Sequence, residues 1–98
     1  MPSAPASIYP GFYPAITSLV RSGCNFTLRQ IAIIGTCQKA TGLLTCADVA
    51  RELNIEQVVV GRAVDLLERE GLLRREQQDT DRRKAYLLLT PAGKAFPA

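Results

Sequence analysis

Apolar residues recur three or four positions apart in three consecutive stretches, the spacing that places side chains on one face of a helix. The stretches run from 28 to about 39, from 46 to 53 and from 57 to 70. The first two begin at the second residue of the sequences TLRQ (27–30) and TCAD (45–48). In each, a threonine at the N-cap position is matched three residues later by Gln30 or Asp48, the pattern of a capping box. The chain therefore contains three predicted helices, two of them with defined starts.

Turn residues and two further patterns complete the predicted elements. Asn54 tolerates the left-handed conformation that ends a helix, and Gly71 ends the third helix. A short extended piece is expected at 43–44, and LLRRE and KAYLLLT predict two strands joined through residues 77–80. PAGKAF predicts a last helical turn. Pro14 and Gly23 bracket PAITSLVRS as a short first helix behind an irregular arm.

The predicted helices over 46–53 and 57–70, joined by a tight turn at Asn54, form a helix-turn-helix pattern. Val60, Ala63, Val64 and Leu67 would face the core, so that the opposite face of the third helix would enter a DNA major groove. On that face Gln57 suits an adenine, Val58 a thymine methyl, and Arg62 a guanine or a phosphate. Gly61 predicts a close approach to another backbone or to DNA.

Two observations keep a second interpretation open. Helical hairpins of this kind also occur as packing units without any DNA contact. Glu56 at the start of the predicted reading helix suits the helix dipole, but its charge repels phosphate. The hairpin that follows the helix favours DNA binding, because it places Arg82, Arg83 and Lys84 beside the reading helix, where a wing would reach the minor groove or the phosphate backbone. Asp81 would brace one of these arginines.

Composition narrows the function classes. The chain has 98 residues, 47% hydrophobic residues and a net charge of +3, which fits one small folded domain that tolerates an anionic partner. We expect an irregular arm and short helix over 1–24 and the DNA-binding domain over 25–98. The chain has no histidine, catalytic motif, predicted cofactor site, membrane span or signal peptide, so a cytoplasmic protein without enzymatic activity is predicted.

The three cysteines allow two interpretations. Cys24, Cys37 and Cys46 lack a CxxC motif, and a zinc site without histidine is not expected. They suit small buried apolar side chains in a reducing compartment. The alternative is a redox switch at Cys24 or Cys46, since Cys46 directly follows a predicted N-cap, where the helix dipole favours a thiolate.

The sequence resembles the MarR family of winged-helix transcriptional regulators. The resemblance runs from about Phe26 to Phe96, through LTCADVARELNIEQVVVGRAVDLLEREGLLRRE and, most specifically, DRRKAYLLLTPAG, which is similar to the wing signature D-R-R-x-x-x-x-x-L-T-x-x-G. It implies an α+β, mainly α winged helix-turn-helix with a β-hairpin wing. It also implies that residues 57–70 read double-stranded DNA, that Arg83 is the wing-tip contact and that Asp81 braces the wing.

The sequence departs from the family in two ways. Glu56, Val58, Val59 and Gly61 stand where the family has small hydroxyl residues, and the chain ends soon after LTPAG, before the family's dimerisation helices. We therefore expect a homodimer through another surface, involving Tyr9, Phe12 and Tyr13, and no pocket for a small phenolic effector. A winged-helix module that binds protein instead of specific DNA is the alternative hypothesis, and exposed valines favour it.

Overall fold

A computed structural model of the protein describes residues 12–78 and 81–96. This part of the chain forms a mainly helical α+β fold, which confirms the predicted winged helix with its hairpin. None of its helices is long and apolar enough to cross a bilayer. In chain order the elements are α1 (Phe12–Arg21), α2 (Leu28–Lys39), β1 (Leu44–Thr45), α3 (Cys46–Leu53), α4 (Gln57–Arg69), β2 (Leu73–Gln78), β3 (Asp81–Leu89) and α5 (Pro91–Ala95).

Both predicted capping boxes are present. At the start of α2 the Thr27 amide donates to Gln30 Oε1 at 2.8 Å, and the Gln30 amide donates to Thr27 Oγ1 at 3.2 Å. At the start of α3 the corresponding distances between Thr45 and Asp48 are 2.9 Å and 3.2 Å. Each box satisfies two backbone groups that the helix itself leaves without a partner, so these starts are fixed by local sequence.

A left-handed residue makes the turn between α3 and α4. Asn54 has φ 55° and ψ 47°, and the next amide, that of Ile55, donates to Ala50 O at 3.0 Å. Asparagine adopts this conformation more readily than most residues, so the helix ends at the predicted position. Only residues 54–56 separate the two helices, and this short connection makes them direct neighbours in the helix-turn-helix.

The core lies where α2, α3 and α4 meet the sheet. It contains aliphatic side chains from all three helices and from both long strands, and the predicted inward-facing residues of α4 and Leu87 of β3 are among them. Leu89 packs against this core while partly buried. The buried core residues are Ile33, Ile34, Val49, Ala50, Val60, Ala63, Val64, Leu67, Leu72, Leu73 and Leu87.

The three strands form an antiparallel sheet in the order β1-β3-β2. Leu44 pairs with Leu87 and Thr45 with Tyr86, so the short extended piece lies one residue later than the predicted 43–44. Its pairing connects the helix-turn-helix to the wing, because α3 begins at the residue directly after Thr45. β3 is consequently held on both sides near its C-terminal end.

The first helix begins earlier than predicted. α1 starts at Phe12 rather than at Pro14, which is the third residue of the helix. Proline is tolerated there because the first amides of a helix have no acceptor within it, so the ring removes no hydrogen bond. The irregular arm predicted ahead of Pro14 therefore does not include Phe12 and Tyr13, which are helical. Tyr9 and the side chains of Phe12 and Tyr13 lie outside the described residues.

Both wing strands are longer than predicted. Gln77 and Gln78, assigned from sequence to the connection, continue β2, and β3 begins at Asp81 instead of Lys84. The sequence assignment relied on apolar alternation, which appears only where one face of a strand is buried. Glu76 and Gln77 are polar and exposed, so the pairing of β2 continues beyond the apolar pattern.

Candidate nucleic-acid interface

Helix α4 separates buried and exposed residues by face, as predicted. Val60, Ala63, Val64 and Leu67 are all buried against the core. On the other side Gln57, Val58 and Arg62 are exposed, and Val58 retains 58% of its accessible surface. Val58 is therefore uncovered in the first turn of the helix, where a partner can reach it. The arrangement presents two polar groups and one aliphatic group together at the N-terminal half of the helix.

Gly61 leaves an open surface in the middle of that face. A β-carbon at this position would meet no heavy atom within 4 Å. A close approach to another backbone, one of the two reasons predicted for this glycine, is therefore not found within the described residues. Its carbonyl oxygen nevertheless has a partner outside the helix, since it accepts from Arg75 Nη2 at 3.1 Å.

Glu56 occupies the N-cap position of α4 and makes no capping hydrogen bond through its side chain. It is exposed, so its carboxylate lies at the helix end nearest to Gln57 and Val58. A negative charge near a helix N-terminus interacts favourably with the helix dipole. The same charge opposes a phosphate at this end, as the sequence indicated.

The wing contains an irregularity at its basic segment. Gln77 pairs with Ala85 and Gln78 with Asp81, so one step along β2 corresponds to four residues of β3. Arg82, Arg83 and Lys84 fall between these two ladder pairs. Bulges bend a strand and redirect its side chains. The side chains of 81–84 lie outside the described residues, so the predicted contacts of the three basic residues and the bracing role of Asp81 stay predictions.

The base of the wing is closed by contacts around α5. Thr90 Oγ1 donates to Gly71 O at 2.5 Å and also accepts from the Gly93 amide at 3.1 Å, which caps α5. The Thr90 amide donates to Leu72 O at 3.1 Å. Gln38 on α2 donates through Nε2 to Gly93 O at 3.0 Å. These bonds join both ends of the hairpin to the end of α4 and to α2.

Arg75 connects β2 to the side of α4, a contact that the sequence interpretation missed. Its Nη1 lies 2.6 Å from Asp65 Oδ1 and 2.9 Å from Glu68 Oε1. Its backbone amide donates to Glu68 Oε2 at 3.2 Å. Burial alone would lower the pKa of Arg75, but hydrogen bonding to Asp65 and the charge of Asp65 outweigh it and raise the pKa. The sequence feature that could have indicated this contact is the pair of carboxylates three residues apart on α4, Asp65 and Glu68.

The cysteines are free and half-buried. Cys37 and Cys46 pack against the core, but all three cysteines are partly buried and not fully buried as the first interpretation expected. Burial, and then the neighbouring Cys46, raise the pKa of the Cys37 thiol to about 11, so this side chain is protonated at neutral pH. Within residues 12–78 and 81–96 no group of three or more histidine, cysteine or carboxylate residues is arranged to hold a metal ion. Redox activity at Cys24 or Cys46 stays a prediction.

Residues 25–84 match the model of the MarR family, which is more than half of the chain. The chain belongs to the MarR family. This match confirms the resemblance that the helix-turn-helix and wing sequences indicated. No curated protein matches the chain in sequence.

Three solved structures illustrate the likeness to other proteins. The Staphylococcus aureus MepR–DNA complex has a TM-score of 0.70 and 25% identity, over 84% of this chain and 65% of MepR. Streptococcus pneumoniae FabT in complex with DNA has a TM-score of 0.69 and 26% identity, over 81% of this chain and 57% of FabT. The transcriptional regulator BldR from Sulfolobus solfataricus has a TM-score of 0.66 and 27% identity, over 91% of this chain and 63% of BldR. This MarR-family chain thus spans less than two thirds of the length of each.

Proposed function

We propose that this MarR-family protein is a sequence-specific DNA-binding transcriptional regulator without enzymatic activity. The observation that carries the proposal is the exposed first half of α4, where Gln57, Val58 and Arg62 are uncovered while Val60, Ala63, Val64 and Leu67 are buried against the core. A helix presented in this way fits the major groove with its N-terminal residues toward the bases. MepR and FabT, which share the fold, have been solved with DNA.

The proposed contacts follow from side-chain chemistry. Gln57 pairs with an adenine edge, Val58 packs against a thymine methyl, and Arg62 binds a guanine or a phosphate. Gly61 leaves room for the DNA surface between them, since nothing in the described chain fills that space. The wing supplies Arg82, Arg83 and Lys84 to the minor groove or backbone, with Asp81 bracing the arginines.

We further propose that the protein binds as a homodimer, in which case its DNA site should contain two half-sites about one helical turn apart. The interface proposed from the sequence involves Tyr9, Phe12 and Tyr13. Sedimentation at ~50 μM, a concentration at which micromolar dimers form, tests this. A monomer would contradict the dimer, and a dimer that survives removal of residues 1–11 and the changes Phe12→Ser and Tyr13→Ser would contradict this interface.

Selection from a pool of random-sequence duplexes tests the main proposal. At ~0.15 M salt, weak nonspecific association is suppressed, so the wild-type protein should recover a common, palindromic sequence. Recovery of no common sequence would contradict specific DNA binding. A protein-binding module would give that result, and its partner contact would be sensitive to Val58→Asp.

A matched pair of arginine variants then tests the orientation of α4. Arg62 and Arg69 are both exposed on this helix, two turns apart, so Arg62→Ala and Arg69→Ala remove the same charge from its two halves. With the recovered duplex, Arg62→Ala should weaken binding and reduce the salt slope by about 0.9, the value for one phosphate contact, or relax one base position. Arg69→Ala should change little. Equal losses would contradict the proposed orientation.

A further inference from the structure

Arg75 bonds to three positions of α4 that form a single stripe. Its acceptors belong to Gly61, Asp65 and Glu68, which are spaced i, i+4 and i+7 along the helix. One side chain therefore spans two turns of the proposed reading helix. Gln57 lies one turn earlier on the same stripe, because it precedes Gly61 by four residues. Arg75 thus joins the wing to the side of the helix that continues into the proposed DNA contacts.

The charge of this cluster is unsuited to phosphate binding. One guanidinium is paired with two carboxylates, so the cluster is net negative, and the Arg75 side chain is only 29% exposed. A phosphate would have to displace Asp65 or Glu68 from their hydrogen bonds. Arg74, the preceding residue, differs in both respects: it is exposed and has one distant ion pair, 3.6 Å to Glu76.

The wing needs a defined direction if it is to contact DNA at the same time as α4. A two-stranded ribbon is only marginally stable alone, and its orientation depends on what it packs against. Near its base the hairpin is held by Leu72, Leu73 and Leu87 in the core, whereas beyond Arg75 the strand residues Glu76 and Gln77 are exposed. Arg75 contacts α4 at the point where β2 leaves this buried base.

We infer that Arg75 is a positioning residue, which holds the wing at a fixed angle to α4 through Gly61, Asp65 and Glu68 and does not itself contact DNA. The inference rests on the proposed function for its consequence, which is that the wing and the reading helix bind DNA together. Its structural part, a wing held by Arg75, does not depend on DNA.

Hydrogen exchange of the full chain without DNA tests the structural part. Arg74→Gln and Arg75→Gln remove the same charge from adjacent positions of β2, so Arg74→Gln is the matched control. Asp65 and Glu68 are partly exposed, and exposed ion pairs contribute little to global stability, so both variants should fold. Amides of β2 and β3 should exchange several-fold faster in Arg75→Gln only, while those of α2 stay as in the wild type. Equal wing exchange in the two variants would overturn the inference.

Binding to the duplex that the wild-type protein selects tests the consequence. Charge alone predicts equal losses of affinity for the two variants, whereas positioning predicts a larger loss for Arg75→Gln. The cost of Arg83→Ala should also shrink in the Arg75→Gln background, because a wing that is already displaced has less contact to lose. Equal losses, or an unchanged cost of Arg83→Ala, would overturn the inference.

The variant Asp65→Ala keeps Arg75, and the two explanations, positioning and charge, predict opposite changes in its DNA affinity. Asp65→Ala removes a carboxylate near the DNA, so charge alone predicts tighter binding, while positioning predicts weaker binding. Glu56→Gln, which removes a carboxylate from the same helix away from Arg75, should bind more tightly and serves as the control. Tighter binding by both would overturn the inference. If the wild type selects no duplex, the proposed function fails, and the exchange experiment still decides whether Arg75 holds the wing.

Discussion

Gly93 packs directly against the backbone carbonyl group of Leu72, so that a β-carbon at position 93 would overlap the Leu72 oxygen. The contact brings α5 against the residue that leads from α4 into the wing. Its neighbour Thr90 reinforces it, because the Thr90 amide donates to the same Leu72 oxygen. The L-T-x-x-G part of the wing signature is therefore explained by packing at the base of the hairpin.

We expect Gly93→Ala to lower the free energy of unfolding by about 1–3 kcal/mol or more, the usual cost of an added carbon in a closely packed site. The clash is with backbone, which cannot move aside as a flexible side chain would. Urea unfolding measures the change, and Ala92→Gly at the exposed preceding position controls for altering α5 itself. Unchanged stability of Gly93→Ala would contradict the packing explanation.

Gly61→Ala should have the opposite effect on stability. The position is in the interior of α4, has space for a β-carbon and needs no unusual backbone angle, so alanine should raise the free energy of unfolding by up to ~1 kcal/mol. If Gly61 is there for close approach to DNA, affinity for the selected duplex should fall in the same variant. Urea unfolding and DNA titration of one preparation give both values. A variant that is more stable and binds equally well would remove the proposed role of Gly61.

Local signals were predictable from the sequence, and contacts between distant residues were not. The capping boxes at Thr27 and Thr45 and the turn at Asn54 depend on residues within four positions of one another, so their sequence patterns were sufficient. Arg75 meets Asp65 and Gly61 only once the hairpin has folded back on α4. No periodicity in the sequence specifies that contact.

The same distinction explains the uneven prediction of the candidate site. The buried stripe of α4 follows from helical spacing, and its exposed side follows from the stripe, so the exposure of Gln57, Val58 and Arg62 was predicted correctly. The ends of the wing strands were missed, because Gln77 and Gln78 are paired but are polar, as a turn would be. Gly93 was part of a recognised signature, yet its physical role required knowing that Leu72 lies against it.

Glu56→Ser should strengthen both the fold and DNA binding. The Glu56 side chain makes no capping hydrogen bond, whereas serine at an N-cap can accept from a backbone amide of the first turn, which is worth about 1 kcal/mol. Loss of the carboxylate also removes repulsion of phosphate. Glu56→Gln isolates this second effect, since it removes the charge without adding a strong cap. It should therefore raise DNA affinity without raising the unfolding midpoint, and equal DNA affinity of all three proteins would contradict a phosphate near this helix end.

The capping box of α3 should make part of the free energy of unfolding depend on pH in the acid range, whereas the capping box of α2 should not. Hydrogen bonding to the Thr45 amide, then to the Thr45 side chain, and then the charge of Arg51 hold the pKa of Asp48 below its usual 3.8. Its contribution is therefore fully present above pH 3.8, the unfolded value, and is lost as pH falls through the lower folded pKa. We expect Asp48→Asn to cost about 0.3–1 kcal/mol at pH 7, as for a carboxylate at a helix N-terminus, and less at pH 3.

Gln30→Ala is the matched control, because the α2 box has the same hydrogen bonds but no ionisable group. Its cost should be the same at pH 7 and pH 3. Urea unfolding of the wild type and both variants at the two pH values measures the difference. If the cost of Asp48→Asn is as large at pH 3 as at pH 7, the ionised carboxylate is not what the Thr45 amide stabilises, and the box acts through an uncharged hydrogen bond alone.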